Sequence, residues 1–530
     1  MPISTLVIAG THSGVGKTSI AIGLMRAFTN QGLQVQPFKV GPDFIDPSHH
    51  RQATGRVSHN LDGWMLNQAQ NCQIFEQACE GADLAIVEGV MGLFDGYGAE
   101  SEAGSTAEMA KWLGAPVLLV INARSLARSA AALIAGYSNF DPDLKMAGVI
   151  CNQIGSASHL ERICSAVRQT VQVPILGGIP RTEPVKIPER HLGLWRAAEL
   201  AENGYLDVLA RLVTDNLNLE NLINIAKSVS DRPVATTDLD QKTDSHLSHS
   251  PKAPKVYTQV LETSVYGCLT PSNSPFVRGR TGASPLTKGG LRGVMQSFES
   301  SSEMYIHGRP KARIGIAQDQ AFCFYYAVNL TLLEQAGAEL IPFSPLKDAL
   351  PENLDGLYIG GGYPELHAKQ LAENKEMRDA IANFCQSGRP VYAECGGLMY
   401  LSQGLLENET YPFVGIFPFW TKMGNRVKLG YRQVDMIGHY NGFPHQGKIR
   451  GHRFHYSDIV DAEGNLLEVM STSPEHTLSS QLQFNYKLQG WNNHQTWEGY
   501  QIHNVLASYV HLHFHSNPTF AQQFVQCCRP

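Results

Sequence analysis

The sequence predicts an α/β protein built from two α/β domains in tandem. Three observations predict it. Short apolar runs alternate with helical patterns as far as about Ser228. A Ser-, Thr-, Pro- and Gly-rich stretch without sustained periodicity follows, from Asp231 to about Pro310. A second alternating pattern then begins at Arg313. Near-continuous apolar strands separated by helices indicate a parallel sheet covered on both faces. The expected division is residues 1–228, a linker or disordered insertion at 229–310, and residues 311–530. A length of 530 residues agrees with two to four domains at ~150 residues each.

In the first part, Thr5–Gly10 reads as a strand and Thr18–Asn30 as a helix. Leu84–Val87, Val117–Ile121, Gly148–Cys151 and Ile175–Leu176 read as further strands. Within the middle stretch only Val256–Val265 suggests a short strand or helix. In the last part Ile314–Ala317, Leu340–Phe343, Leu357–Ile359 and Val391–Ala393 read as strands, and Tyr325–Gln335 as a helix ending at Gly337. A helix is expected after Cys395, and a turn-rich, aromatic region from about Phe413. His511–His515 alternates with Leu512 and Phe514 as a late strand would, which sets His511, His513 and His515 on one face. Packing or hydrogen bonding is the expected use of that face, ahead of zinc.

Composition excludes several classes. Lys+Arg is 42 and Asp+Glu is 48, a net charge of −6, so no basic footprint points to nucleic acid. No apolar run reaches the ~20 residues that span a bilayer, and the N-terminus reads as a first strand, not a signal peptide. Ten scattered cysteines without a CxxC pair read as reduced thiols, which places the chain in the cytoplasm or an equivalent reducing compartment.

Gly10-Thr-His-Ser-Gly14-Val15-Gly16-Lys17-Thr18 follows a strand and opens a helix. Backbone N–H groups of such a loop cradle phosphate, the Lys reaches the outer phosphates and the Thr hydroxyl binds Mg²⁺. The pattern GxxxxGKS/T wants Gly at position 11, where this chain has Thr11, so the match is to the looser form with Gly10. Two acidic segments lie at strand ends: Lys39-Val-Gly-Pro-Asp43-Phe-Ile-Asp46-Pro and Val87-Glu88-Gly-Val-Met-Gly-Leu-Phe-Asp95-Gly. Ligands of open parallel sheets bind outside the strands' C-terminal ends, so Asp43, Glu88 and Asp95 are expected near the phosphates, with Mg²⁺ on Asp43 or Glu88. Asp46, before Pro47, is the expected capping residue.

Val391-Tyr-Ala-Glu394-Cys395-Gly396-Gly397-Leu398 reads as a strand, a nucleophile and a helix. A thiol at such an elbow is exposed, and a helix N-terminus favours its thiolate. Gly360-Gly361-Gly362 after another strand offers backbone N–H groups for an oxyanion, at Gly361 and Gly362. His511 is the candidate base.

These motifs together resemble the cobyrinate a,c-diamide synthase family, glutamine-hydrolysing enzymes of corrin biosynthesis. AGTHSGVGKTS, KVGPDFIDP, VEGVMGLFDG, IPERHLGL, DQAFCFYYAVNL, YIGGGYPELHA, AECGGLMYL and SYVHLHFHSNP match in order, over nearly everything outside Asp231–Pro310. The resemblance implies a dethiobiotin-synthetase-like P-loop domain with a parallel sheet, followed by a class I glutamine amidotransferase-like α/β domain. It implies ATP as cosubstrate, Mg²⁺ held by Thr18, Asp43 and Glu88, and adenine read by Asn152. Cys395 would be the glutaminase nucleophile, His511 its base, and Asp43, Glu88 and Asp95 the acidic residues of the synthetase site. Arg190-His191-Leu-Gly-Leu resembles a corrinoid-side motif. Two positions depart from related sequences: His513 stands two residues after His511 where a Glu is common, so the third triad member is missing there, and Arg453 stands where Glu is expected. The implied partners are a cobyrinate-type corrinoid, glutamine and ATP, with a homodimer allowed. Hydrogenobyrinate or nickel-sirohydrochlorin would keep the chemistry. A P-loop switch with an inactive glutaminase is the reading from another class.

Overall fold

The first strand, Ser4–Gly10 (β1), is buried almost throughout, as an apolar run in the middle of a sheet must be. In this computed structural model the described residues are 3–181, 189–190, 193–194, 204–228, 311–437, 447–467, 481–490 and 495–529. The expectations for 229–310, including Val256–Val265, and for His191 lie outside them. The described residues all belong to one compact unit.

After β1 come α1 (Lys17–Asn30), β2 (Val35–Val40), α2 (Ile45–Thr54), β3 (His59–Leu61), α3 (Gln68–Ala78), β4 (Leu84–Glu88) and α4 (Thr106–Trp112). Then follow β5 (Val117–Asn122), α5 (Arg128–Phe140), β6 (Met146–Ile154), α6 (Ala157–Arg168) and β7 (Ile175–Pro180). The short strands β8 (Glu189–Arg190) and β9 (Gly193–Leu194) precede α7 (Tyr205–Asn216) and α8 (Leu219–Lys227). The seven-stranded sheet runs β3-β2-β4-β1-β5-β6-β7. Every pairing in it is parallel. Its two faces carry separate cores, one around Val7, Phe38 and Val87, the other around Leu6, Ile8 and Phe28. Fully burying one such side chain contributes about 1.5–3 kcal/mol.

The second region contains β10 (Ala312–Ala317), β11 (Phe322–Phe324), α9 (Ala327–Gln335), β12 (Ala338–Phe343), β13 (Gly356–Ile359) and β14 (Gly361–Gly362). Next are α10 (Ala368–Glu373), α11 (Lys375–Gln386), β15 (Val391–Glu394), α12 (Gly396–Leu401), β16 (Gly404–Leu406) and β17 (Thr410–Pro412). The strands β18 (Trp420–Met436), β19 (Gly447–Val460), β20 (Gln483–Gln489), β21 (Gln495–Ile502), β22 (Val505–Ser508) and β23 (Val510–Leu512) lead to α13 (Thr519–Cys527). Strands β12-β10-β13-β15-β22 are parallel neighbours, and the sheet continues antiparallel through β21, β20 and β18. The turn-rich expectation after Phe413 thus resolves into long antiparallel strands, β18 against β19.

One expectation is corrected. The late strand ends at Leu512, and Phe514–Ser516 is a 3₁₀ turn, so the three histidines do not share a strand face. Asn329 causes the break by taking both Leu512 O and Phe514 N with its side chain.

Candidate active site

The phosphate loop connects β1 to α1. Gly16 has φ 102°, a left-handed conformation that favours glycine, and a Cβ there would sit 2.2 Å from Asn152 Nδ2. Asn152 donates to Val15 O at 2.8 Å, so it buttresses the loop from the end of β6. Lys17 Nζ donates to His12 O at 3.1 Å and to Met91 O at 2.5 Å. Burial, then the neighbouring Lys39, lowers the Lys17 pKa.

Glu88, fully buried at the end of β4, is the centre of a charged network. Thr18 Oγ1 donates to its Oε1 at 2.6 Å, Lys39 Nζ reaches the same oxygen at 2.9 Å, and His50 Nε2 donates to Oε2 at 2.6 Å. Burial works against its charge, but Lys39 and His50 outweigh burial and hold the carboxyl well below its ordinary range. Lys39 also pairs with Asp46 at 2.6 Å. The expected capping role therefore moves from Asp46 to Asp43, whose Oδ1 accepts from Ile45 N at 2.7 Å. Asp95 Oδ2 accepts from Gly92 N at 2.9 Å beside the loop. Lys39 and His50 were not singled out from the sequence. The signal for His50 was its place one helical turn after Asp46, on the same face of α2.

Among the described residues no cluster of three His, Cys, Asp or Glu side chains is arranged to hold a metal. Mg²⁺ at phosphate sites needs only one or two protein oxygens, the rest coming from phosphate and water. The Thr18 hydroxyl against Glu88, with Asp43 at the neighbouring strand end, fits that requirement.

Cys395 sits between β15 and α12 with φ 48°, the strained geometry of a nucleophile elbow. A Cβ at Gly397 would lie 2.2 Å from Ile359 O, so only glycine lets the elbow close onto β13. Cys395 and His511 line one chamber of about 30 Å³ with Gly362, Tyr363, Glu365 and Phe454. A Cβ at Gly361 would lie 2.4 Å from His511 Cε1, which shows how closely the glycine loop approaches the ring.

Both Cys395 and His511 are buried in the chamber wall. Burial first, then Glu365, pushes the Cys395 thiol up, while the Gly396 N–H pulls the other way. The thiolate expected from the helix end is thus not favoured in this closed form, because desolvation exceeds what one short helix offers. Burial, then His452 and His455, holds His511 well below its ordinary value. His511 Nδ1 has no hydrogen-bond partner. Its ring stacks instead on His452, with centroids 4.9 Å apart, and His452 Nδ1 meets Tyr326 Oη at 2.7 Å. His513 packs against Tyr326 at 4.7 Å.

Arg453 pairs with Glu498. Glu498 also accepts from Ser508 Oγ at 2.8 Å and Tyr509 N at 2.5 Å, just before the strand of His511. Glu498 and Arg453 thus form an ion pair that holds the start of the strand carrying His511, and neither reaches the His511 ring.

Residues 6–194 match the CobQ/CobB/MinD/ParA nucleotide binding domain family, and residues 313–519 the CobB/CobQ-like glutamine amidotransferase domain family. A Syntrophotalea carbinolica protein named cobyrinate a,c-diamide synthase is 40% identical, covering 100% of this chain and 99% of its own length. Proteins of the same name from Archaeoglobus fulgidus and Leptospira interrogans are 38% and 37% identical, each covering 99% of this chain and 98% of its own. With a nucleotide-binding domain joined to a glutamine amidotransferase domain, the chain is an ATP-dependent, glutamine-using carbon–nitrogen ligase, and it belongs to the cobyrinate a,c-diamide synthase family.

Proposed function

We propose that the chain converts the a and c carboxylates of cobyrinate to amides, in the cytoplasm, using one ATP and one glutamine per amide. The observation that carries this reading is the chamber that holds Cys395 and His511 and takes part of its wall, Phe44, from the P-loop domain. A glutaminase so joined to a nucleotide site makes sense if ammonia passes between them.

On the glutaminase side, the Cys395 thiol passes its proton to His511 as sulfur attacks the carboxamide carbon of glutamine. The oxyanion is held by backbone N–H groups at Gly361, Gly362 and Gly396. The carbon–nitrogen bond breaks, the nitrogen takes a proton from His511 and leaves as ammonia. A thioester remains, and water hydrolyses it to glutamate and free thiol. On the synthetase side, the substrate carboxylate attacks the terminal phosphorus of ATP, giving an acyl phosphate and ADP. Ammonia then attacks the acyl carbon, phosphate leaves, and the surplus proton goes to solvent. Lys17 and the loop N–H groups of Gly14, Val15 and Gly16 would position the phosphates, Asp95 keeps the facing loop in place, and Asn152, which donates to Val15 O, would read adenine. Mg²⁺ held by Thr18, Asp43 and Glu88 would supply neutralisation of phosphate charge.

Mass spectrometry of the corrinoid tests this. With ATP, Mg²⁺, glutamine and cobyrinate, two amides should form. Cys395→Ala should form them from ammonia and lose at least about 10³-fold with glutamine, since it removes the nucleophile. Glutamine hydrolysis without any product from cobyrinate would redirect the substrate to a metal-free or nickel macrocycle. Absence of glutamine hydrolysis would sink the ligase reading.

A further inference from the structure

Phe44 stands between two cavities. It directly precedes α2, next to Asp43. Its ring lies 4.2 Å from Phe324, 5.9 Å from Tyr363, 6.4 Å from Phe454 and 6.5 Å from His511, centroid to centroid. All four partners belong to the amidotransferase domain. On one side Phe44 helps to wall the Cys395 chamber of about 30 Å³. On the other it lines a cleft of about 550 Å³, together with Ile45 and Ser48 of its own domain and Gln318, Cys323 and Leu346 of the other.

The volumes matter. A space of ~15 Å³ by this measure is enough for one water, so the chamber admits a molecule of that size, and ammonia is such a molecule. Glutamine needs several times more, so the wall must move for it to bind. The cleft is in the range of small-molecule sites. The wall is also tied to the nucleotide side. Helix α2, which begins at the residue after Phe44, is anchored by Asp46 to Lys39 at 2.6 Å and by His50 to Glu88 at 2.6 Å. Glu88 in turn holds Thr18 of the phosphate loop. Glu88 thus meets α2 directly through His50 and, by way of Lys39 at 2.9 Å, through Asp46, and Phe44 lies at the start of that helix.

We infer that Phe44 is the partition between the glutaminase chamber and the interdomain cleft, a positioning residue that keeps ammonia from water until α2 moves it aside. This rests on the ligase reading above. An apolar ring suits the task, because it passes neutral ammonia when displaced and excludes water and its protons when closed.

The test measures glutamine hydrolysed per amide formed in wild type, Phe44→Ala and Phe44→Leu, amidation driven by ammonia, and glutamine hydrolysis without ATP. Wild type should stay near one glutamine per amide. In Phe44→Ala the ratio should rise at least about threefold, with a smaller rise in Phe44→Leu, and hydrolysis without ATP should increase. Wild-type ratios in both variants would overturn the partition. So would loss of ammonia-driven amidation in both, which would place Phe44 in the synthetase chemistry. If wild type makes no amide from any corrinoid, the ligase reading fails. The partition is then judged by ATP-independent hydrolysis alone, and an unchanged rate in Phe44→Ala overturns it.

Discussion

The nucleotide site and the glutaminase chamber handle charge in opposite ways. Around the phosphate loop, Lys39 and Glu88 are held in their charged forms because each has a partner: Lys39 lies between Asp46 and Glu88, and Glu88 also takes His50, while burial and the nearby Asp43 push the Asp46 carboxyl up. Around Cys395, burial drives the thiol and the imidazoles of His511 and His452 towards their neutral forms, His452 to about 3. The first arrangement is ready for a polyanion. The second favours the neutral thiol of Cys395 over its thiolate, because desolvation outweighs the Gly396 N–H.

The pair Arg453–Glu498 is the exception beside the chamber, and breaking it should have the largest effect. Arg453→Ala would leave Glu498 buried without its cation and should cost about 3–5 kcal/mol of stability, read by denaturant unfolding. A cost under ~1 kcal/mol would mean that Ser508 and Tyr509 suffice and that the chamber needs no ion pair. Next, Lys17→Ala should slow amide formation about 10²–10³-fold, an electrostatic loss of ~3–4 kcal/mol, while ATP-independent glutamine hydrolysis changes little. Equal losses in both would erase the division between the sites. The smallest effect concerns Glu394, whose carboxyl accepts from Tyr392 Oη, Tyr358 Oη and Leu512 N. Burial raises its pKa from 4.5 to about 7. The protonated form is favoured in the folded state, so this contribution is full below pH 4.5 and is lost as pH rises through about 7. It amounts to at most about 3 kcal/mol. Glu394→Gln should flatten that slope in stability-versus-pH curves, and an unchanged slope would assign it to another group.

Much of the fold was legible because its signals are local. Apolar runs such as Leu6–Ala9 need neighbours on both faces, and the helix after Lys17 follows from its spacing. The two glycine-rich turns after strands marked both sites, since only glycine tolerates those close approaches. That Asp43 rather than Asp46 accepts a backbone N–H at the start of α2 was not legible. Both stand near the start of one helix, and the choice depends on which of them Lys39 reaches. The face shared by His511, His513 and His515 was misread for a similar reason: Asn329, remote in sequence, takes the backbone groups that would have continued the strand.

The sequence by itself determined the two α/β domains, the phosphate loop, the cysteine elbow and the family, because each depends on residue types within a few positions of one another. Tertiary structure alone decided that Glu88 is shared by Thr18, Lys39 and His50, that Arg453 finds Glu498, and that Phe44 of one domain closes a chamber built by the other. Those pairings join distant stretches of chain. What selects them is the desolvation cost of a buried charge and the space left by facing side chains, and neither quantity exists until the domains pack.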